Sequence, residues 1–451
     1  MDLKEINKNS NVTVALAALV YWTASCQVVA EPHSEALPAN LATNTTLTQQ
    51  PTNAFQWGAS IRSRLEKKQD FNFDNSSQDY VLTRTRLHAS YTTPKGHRGY
   101  IELQDARVAG ESSRGHPPVN SNAKANVFED HLDIHQANWN WKLKNTNLLI
   151  GRQKFQLGDG RLVASLEWVN TARVSDGIRL TWGSSEKRQV DMFLSRPVAI
   201  DPKNVNDQTR AGNRYLDSSF HGAFVADNAT FKDSQLQYWL YHRENRQFGD
   251  EVSTIGMRFT NEDLWWQPDL QAAYQFGNFD NKEHSAWMIH GEIGHNFKRG
   301  NLSLAYSFAS GDSDPNDTQH GTFDNLYPSN HPYYGYMDLF SLQNVKNLEL
   351  RYSQQVGRGT RIHIGWNTFW LSEEDTDAWY HAGLAPVRVA TKNVNPYVGK
   401  EIDVALQVPL FSGRLALLTG VSVFFAGSYL KDLELNKNAL FYYVNMTYTI
   451  H

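Results

Sequence analysis

The chain has 451 residues, a net charge of −4 and a single cysteine, which excludes a global basic field for nucleic acid, an internal disulfide and a thiolate metal site. Aromatics make up 12% of the residues and Trp occurs 13 times, yet the mean hydropathy is polar. A soluble all-β domain hides its aromatics in a core, whereas a transmembrane barrel displays them outside and keeps a polar lumen.

At the N-terminus, Lys4 and Lys8 precede an apolar run from Val12 to Trp22, and Val28-Val29-Ala30 offers a cleavage site. Residues 1–30 therefore read as an export signal. Thr23-Ala24-Ser25-Cys26 is a poor lipoprotein box, because Thr23 stands where Leu is usual. Residues 31–54, rich in Thr, Asn, Gln, Pro and Ala, read as a flexible leader too short for a plug domain. After residue 30 no run approaches the roughly 18 consecutive apolar residues of a membrane helix, and a closed barrel satisfies its backbone in lipid without one.

From 55 to 451 the chain alternates apolar or aromatic with polar side chains in one strand-length segment after another. Because successive side chains of a strand face opposite ways, each segment has one apolar and one polar face. In the first, Trp57, Ala59, Ile61, Ser63 and Leu65 oppose Ser60, Arg62, Arg64 and Glu66. In the second, Thr83, Thr85, Leu87, Ala89 and Tyr91 oppose Arg84, Arg86, His88 and Ser90. Further segments centre on 101–103, 139–143 and 148–150, then 176–182, 188–196, 219–226, 234–243, 252–260, 268–277, 285–296 and 301–309. The last lie near 346–354, 360–370, 400–408, 414–426 and 440–450. About 18 such segments predict an all-β fold, an antiparallel transmembrane β-barrel. Gaps at Thr93-Pro94-Lys95-Gly96, Asn145-Thr146, Lys298-Arg299-Gly300 and Gly357-Arg358-Gly359 suit short periplasmic turns. Gaps at 108–130, 156–173, 197–218, 310–345 and 371–397 suit longer extracellular loops. Short and long gaps do not alternate strictly.

Arg62, Arg64, Arg84, Arg86, Arg152, Arg179, Arg258, Arg351 and Arg361 all sit opposite an apolar face, as do Glu102, Asp191, Glu292, Glu349, Glu401 and Asp403. A charge facing hydrocarbon at mid-membrane costs ~2–4 kcal/mol, so these groups are expected to point into the lumen. A basic stripe in a pore attracts anions, and the planar fork of Arg suits carboxylates. The same pattern also suits a purely structural role, in which Arg packs against Asp and Glu to fill and stiffen the barrel.

Three stretches resemble the alginate export family of outer-membrane proteins. They are Gly151-Arg152-Gln153 with Gly158-Asp159-Gly160-Arg161, Trp168, Asn170, Arg173, Asp176 and Gly177; Ser310-Gly311-Asp312 with Phe323, Leu326-Tyr327-Pro328, His331, Tyr333-Tyr334-Gly335 and Asp338; and Val398-Gly399-Lys400-Glu401-Ile402-Asp403. The resemblance implies an 18-stranded barrel and an arginine-rich constriction built from strand residues and an inward-folded loop. It makes Arg152, Arg161 and Arg173 the matching constriction candidates, and Asp159, Asp176 and Asp312 the loop anchors or pairing acids. Arg62, Arg64, Arg84, Arg86 and Arg179 rest on strand alternation. The chain departs from the usual barrel ending, since Ile450-His451 replaces a terminal Phe and Tyr448 is the nearest aromatic.

Catalytic and metal chemistry find little support. Asp312–Asp317 lacks the Gly and Glu of a helix-loop-helix calcium site and reads as a solvated acidic loop. His131 and His135 form no zinc motif, Gly-x-Ser-x-Gly is absent, and nothing marks Ser90 and His88 as a hydrolase pair. No cofactor is expected. The expectation is a monomeric bacterial outer-membrane channel, not an enzyme, that passively conducts an anionic polysaccharide or uronate oligosaccharide through an arginine-lined lumen. A substrate-selective uptake porin for small anionic solutes is the alternative, and an outer-membrane hydrolase the contrasting class. The expected partners are the anionic sugar, outer-membrane lipid, lipopolysaccharide and periplasmic export components.

Overall fold

The structure, a computed structural model, describes residues 54–112, 128–200, 212–357 and 359–450. The export signal, Cys26, the leader up to residue 53, and parts of the loops at 113–127 and 201–211 lie outside the described residues.

Eighteen antiparallel strands close into a barrel. Each pairs with its neighbours in sequence, and the ring closes where the first strand, Ala54–Gln69, pairs with the last, Ala439–Ile450, from Ala59↔Ile450 to Gln69↔Leu440. Every alternating segment read from the sequence is one of these strands. Two short ladders lie outside the ring: Gln319–His320 pairs in parallel with Lys282–Phe297, and Trp379–Tyr380 pairs with Pro386–Arg388.

Connections alternate strictly between the two ends of the barrel. One end carries the short turns at 93–97, 143–145, 185–187, 228–233, 262–267, 298–299, 356–360 and 411–414. The other carries the long loops, together with tight connections at 246–249 and 280–281. These two tight connections on the loop side break the length pattern seen in the sequence. Short turns mark the periplasmic end and long loops the extracellular end.

The two faces of the wall follow the period of two. Ile61, Leu65, Leu194, Leu240, Ile255 and Leu304 stand exposed on the outside. Large aromatics gather near the short-turn rim, with Phe55, Trp182, Trp265 and Phe411 all more than half exposed. Such an apolar belt with an aromatic girdle is what a hydrocarbon layer and its interface require. On the inner face Arg62, Arg64, Glu66, Arg84, Arg86, Glu102, Glu349, Glu401 and Asp403 are buried.

The long loops do not simply stand out into solvent. The loops 154–174 and 310–344 fold into the loop-side half of the barrel and build a hydrophobic core there with inward strand residues such as Phe220, Phe369 and Phe424. Phe340 of the second loop stacks on Phe369 at 3.8 Å and 6°. The gap at 310–345, expected as an extracellular loop, is thus largely interior. Burying this aromatic area repays the entropy of ordering so long a segment.

Candidate functional site

The inward loops are joined to each other by backbone. Ala164 N–H donates to Tyr327 O at 2.8 Å, Tyr327 N–H to Leu162 O at 2.9 Å, and Ser329 N–H to Gly160 O at 3.0 Å. The first loop is gripped by arginines of two adjacent strands. Arg62 donates to the carbonyls of Glu167 at 2.9 Å and Val169 at 3.0 Å. Arg64 donates to the Trp168 carbonyl at 2.6 Å and pairs with Glu66 at 2.6 Å. Arg84 and Arg86 reach the Glu167 carboxylate at 3.2 and 2.9 Å, and Lys154 meets it at 2.6 Å. Burial alone would raise the pKa of Glu167, but Arg86, Lys154 and Arg84 hold its carboxyl well below the ordinary carboxylate range.

The remaining candidates also have partners. Arg152 pairs with Asp176 at 2.8 Å and donates to Ile134 O at 2.9 Å, so its fork is spent within the barrel wall. Arg161 is buried and donates to the Tyr334 hydroxyl at 2.9 Å, meets His290 Nε2 at 3.1 Å, and lies over the Tyr333 ring at 4.0 Å. Its neighbour Asp159 pairs with it at 3.2 Å. Burial pushes the Asp159 pKa up, but Arg258 and Arg161 outweigh burial and keep it below its ordinary value. Arg173 donates to the carbonyls of Ala164 and Pro328, both at 3.1 Å, and so ties the two loops together. Burial lowers its pKa to about 10, which leaves it charged at neutral pH. Arg179 pairs with Asp191 at 2.9 Å. Among the described residues Asp312 meets no lumen arginine. It is buried, not solvated as the acidic run suggested, and its N–H donates to Asp377 at 3.0 Å. Burial raises the pKa of both acids.

A second anchor escaped the sequence reading. Arg243, on the strand Ser234–Asn245, pairs with Asp250 and with Asp324 of the second loop, both at 2.8 Å, and all three side chains are fully buried. Charges in such surroundings persist only when paired.

Residues of the two loops form a stack that starts at the barrel wall. Arg64 lies over Trp168 at 3.9 Å, Trp168 stacks on His331 at 3.7 Å and 12°, and His331 stacks on Tyr336 at 4.9 Å and 16°. Asp338 accepts from Trp168 Nε1 at 3.0 Å and contacts His331 Nδ1 at 3.1 Å. Trp168, His331 and Asp338 all stand in the motif stretches of the sequence, but Tyr336 carried no signal there. Gly335 holds φ at +85°, and a Cβ would fall 2.5 Å from the Glu401 carboxylate, so this approach requires glycine. Glu401 in turn accepts from Met337 N–H at 2.8 Å.

Two chambers lie beneath the stack, on the short-turn side. The larger, about 300 Å³, is lined by Arg62, Arg86, Lys154, Glu102, Glu167 and Tyr100 among others. The smaller, about 220 Å³, is lined by Arg351, Arg361, Glu292, Glu349 and Asp403 together with uncharged polar residues. His331, Tyr336 and His363 line both. The cations of the two linings are matched by carboxylates, Arg62, Arg86 and Lys154 standing with Glu102 and Glu167 in the larger chamber and Arg351 and Arg361 with Glu292, Glu349 and Asp403 in the smaller. Among the described residues no group of His, Cys, Asp and Glu is arranged to hold a metal ion.

A sequence model of the alginate export family matches residues 54–438. No curated protein matches the chain in sequence. Among solved structures, Acinetobacter baumannii OccAB4 is similar at a TM-score of 0.60 and 13% identity, over 89% of this chain and 98% of that one. Pseudomonas aeruginosa OccK2 (OpdF), solved in complex with glucuronate, gives a TM-score of 0.59 at 12% identity, over 88% and 98%. Pseudomonas aeruginosa OccK8 (OprE) gives 0.59 at 13%, over 88% and 98%. At such identities the likeness is one of fold.

Proposed function

The chain belongs to the alginate export family, and from that premise we propose that it passively conducts an anionic polysaccharide or uronate oligosaccharide. It is a porin-like channel of the bacterial outer membrane. The observation that carries the substrate reading is the pair of chambers on the short-turn side, where Arg62, Arg86, Lys154, Arg351 and Arg361 stand among sugar-compatible polar and aromatic groups. The mechanism is electrostatic. Guanidinium and ammonium groups replace part of the hydration of each carboxylate, while Glu102, Glu167, Glu292 and Asp403 keep the binding weak enough for onward movement. Arg161 and Arg173 serve this reading indirectly, by holding the inward loops at the constriction.

Selective passage of small anionic solutes is a second reading, favoured by the interlocked loops and the aromatic core of the loop-side half. Conductance block in planar bilayers by uronate oligomers of increasing length separates the two. Block that strengthens with length supports polymer passage. Equal block by a monomer and a long oligomer supports the small-solute reading, and block by neutral oligosaccharides of the same length as strong as by uronates defeats both.

A further inference from the structure

We propose that the smaller chamber is a subsite for a single uronate residue, an inference that rests on the anionic-sugar reading above. At about 220 Å³ it lies below the roughly 300–1,000 Å³ of pockets for drug-sized ligands, so it suits one ring, not a chain.

Its wall is built by one row across four strands. Ser303 pairs in register with Arg351, Arg351 with Gly365, and Gly365 with Asp403. Gly365 has no side chain, and a gap is left in the row between Arg351 and Asp403. A Cβ there would already lie 3.3 Å from the Asp403 carboxylate. Tyr336, the end of the aromatic stack, also lines the chamber and offers a ring to the apolar face of a pyranose.

Glu292, Glu349 and Asp403 line the chamber beside Arg351 and Arg361, so a sugar carboxylate can be met only where a cation has no acid partner. Arg351 is occupied by Glu292 and by Glu349 at 3.3 Å. Arg361 is exposed and makes no hydrogen bond or ion pair among the described residues. Two positions along the same strand face stands His363, 8% exposed, whose Nε2 is buried without a hydrogen-bond partner. A free guanidinium and an unsatisfied imidazole nitrogen, side by side at the mouth of a chamber, match a carboxylate and an adjacent hydroxyl. A neutral hexose lacks the carboxylate and acetate lacks the ring, so each meets only half of the site.

The test uses the full chain in planar bilayers, with glucuronate added on the short-turn side and glucose and acetate as controls. Glucuronate is expected to block the current, with both controls at least tenfold weaker. Arg361→Gln, an exposed position, and Gly365→Val, which fills the gap without altering charge, are each expected to weaken glucuronate block by about tenfold, equivalent to about 1.4 kcal/mol. Absence of block in the unaltered protein, equal block by acetate, or undiminished block in both variants would overturn the subsite. Retained length-dependent block by uronate oligomers in that event leaves the conduction reading standing; its loss as well removes both.

Discussion

Arg64 touches Trp168 twice: its guanidinium carbon lies 3.9 Å from the indole centroid, and its Nη1 donates to the Trp168 carbonyl at 2.6 Å. One side chain of the barrel wall thus holds both the ring and the backbone of the inward loop. The lumen arginines are first of all loop-holders, and the anion pathway proposed above rests on their remaining field and on Arg361.

Trp168→Ala removes a cation–π contact worth ~0.5–2 kcal/mol and an aromatic stack worth ~0.5–1.5 kcal/mol. The loop 154–174 should then leave its seat more often, raising the population of higher-conductance openings by roughly ten- to a hundredfold. Single-channel recording reads this directly, and an unchanged distribution of openings would show that the stack does not hold the loop.

Glu167→Gln removes the negative charge shared by Arg84, Arg86 and Lys154. These cations are then less compensated, two of them, Arg86 and Lys154, lining the larger chamber, and anion selectivity should rise. The reversal potential across a salt gradient should move further toward the anion value, and movement toward the cation value would contradict the assignment.

The same carboxylate sets a pH expectation. Its pKa is held well below the ordinary range, so its stabilising effect is complete above the unfolded carboxylate value of about 4.3 and is lost only as pH falls through the lower folded value. The frequency of openings of the loop that Glu167 clamps should therefore stay flat from about pH 7 to pH 5. Loop-opening events that grow over that window would count against the clamp.

Asp324→Asn deprives the buried Arg243 of one of its two carboxylates. Breaking a buried pair from one side costs about 3–5 kcal/mol. The loop 310–344 should become susceptible to added protease while the barrel stays folded, as judged by its resistance to unfolding in cold detergent. Equal protease resistance in both proteins would remove Asp324 from the anchor.

Leu240→Arg places a charge on the outer wall, where Leu240 is 52% exposed to the lipid side. Urea titration of folding into vesicles should show a loss of about 2–4 kcal/mol. A near-zero change would mean that this face does not meet hydrocarbon.

The strand order, the inward and outward faces and the membrane-spanning class were legible in the amino-acid sequence alone. They depend on a period of two and on what each face touches, and both are local: Ile61 and Arg62 declare their sides by adjacency. What each inward charge pairs with was not local. Arg62 meets Glu167, 105 positions away, and Arg161 meets Tyr334, 173 positions away. Only the tertiary structure could decide that Arg62, Arg64, Arg84 and Arg86 close on a loop and that Arg361 has no partner among the described residues. A carboxylate or carbonyl satisfies a guanidinium only within about 3 Å, and which one arrives there depends on how the inward loops pack.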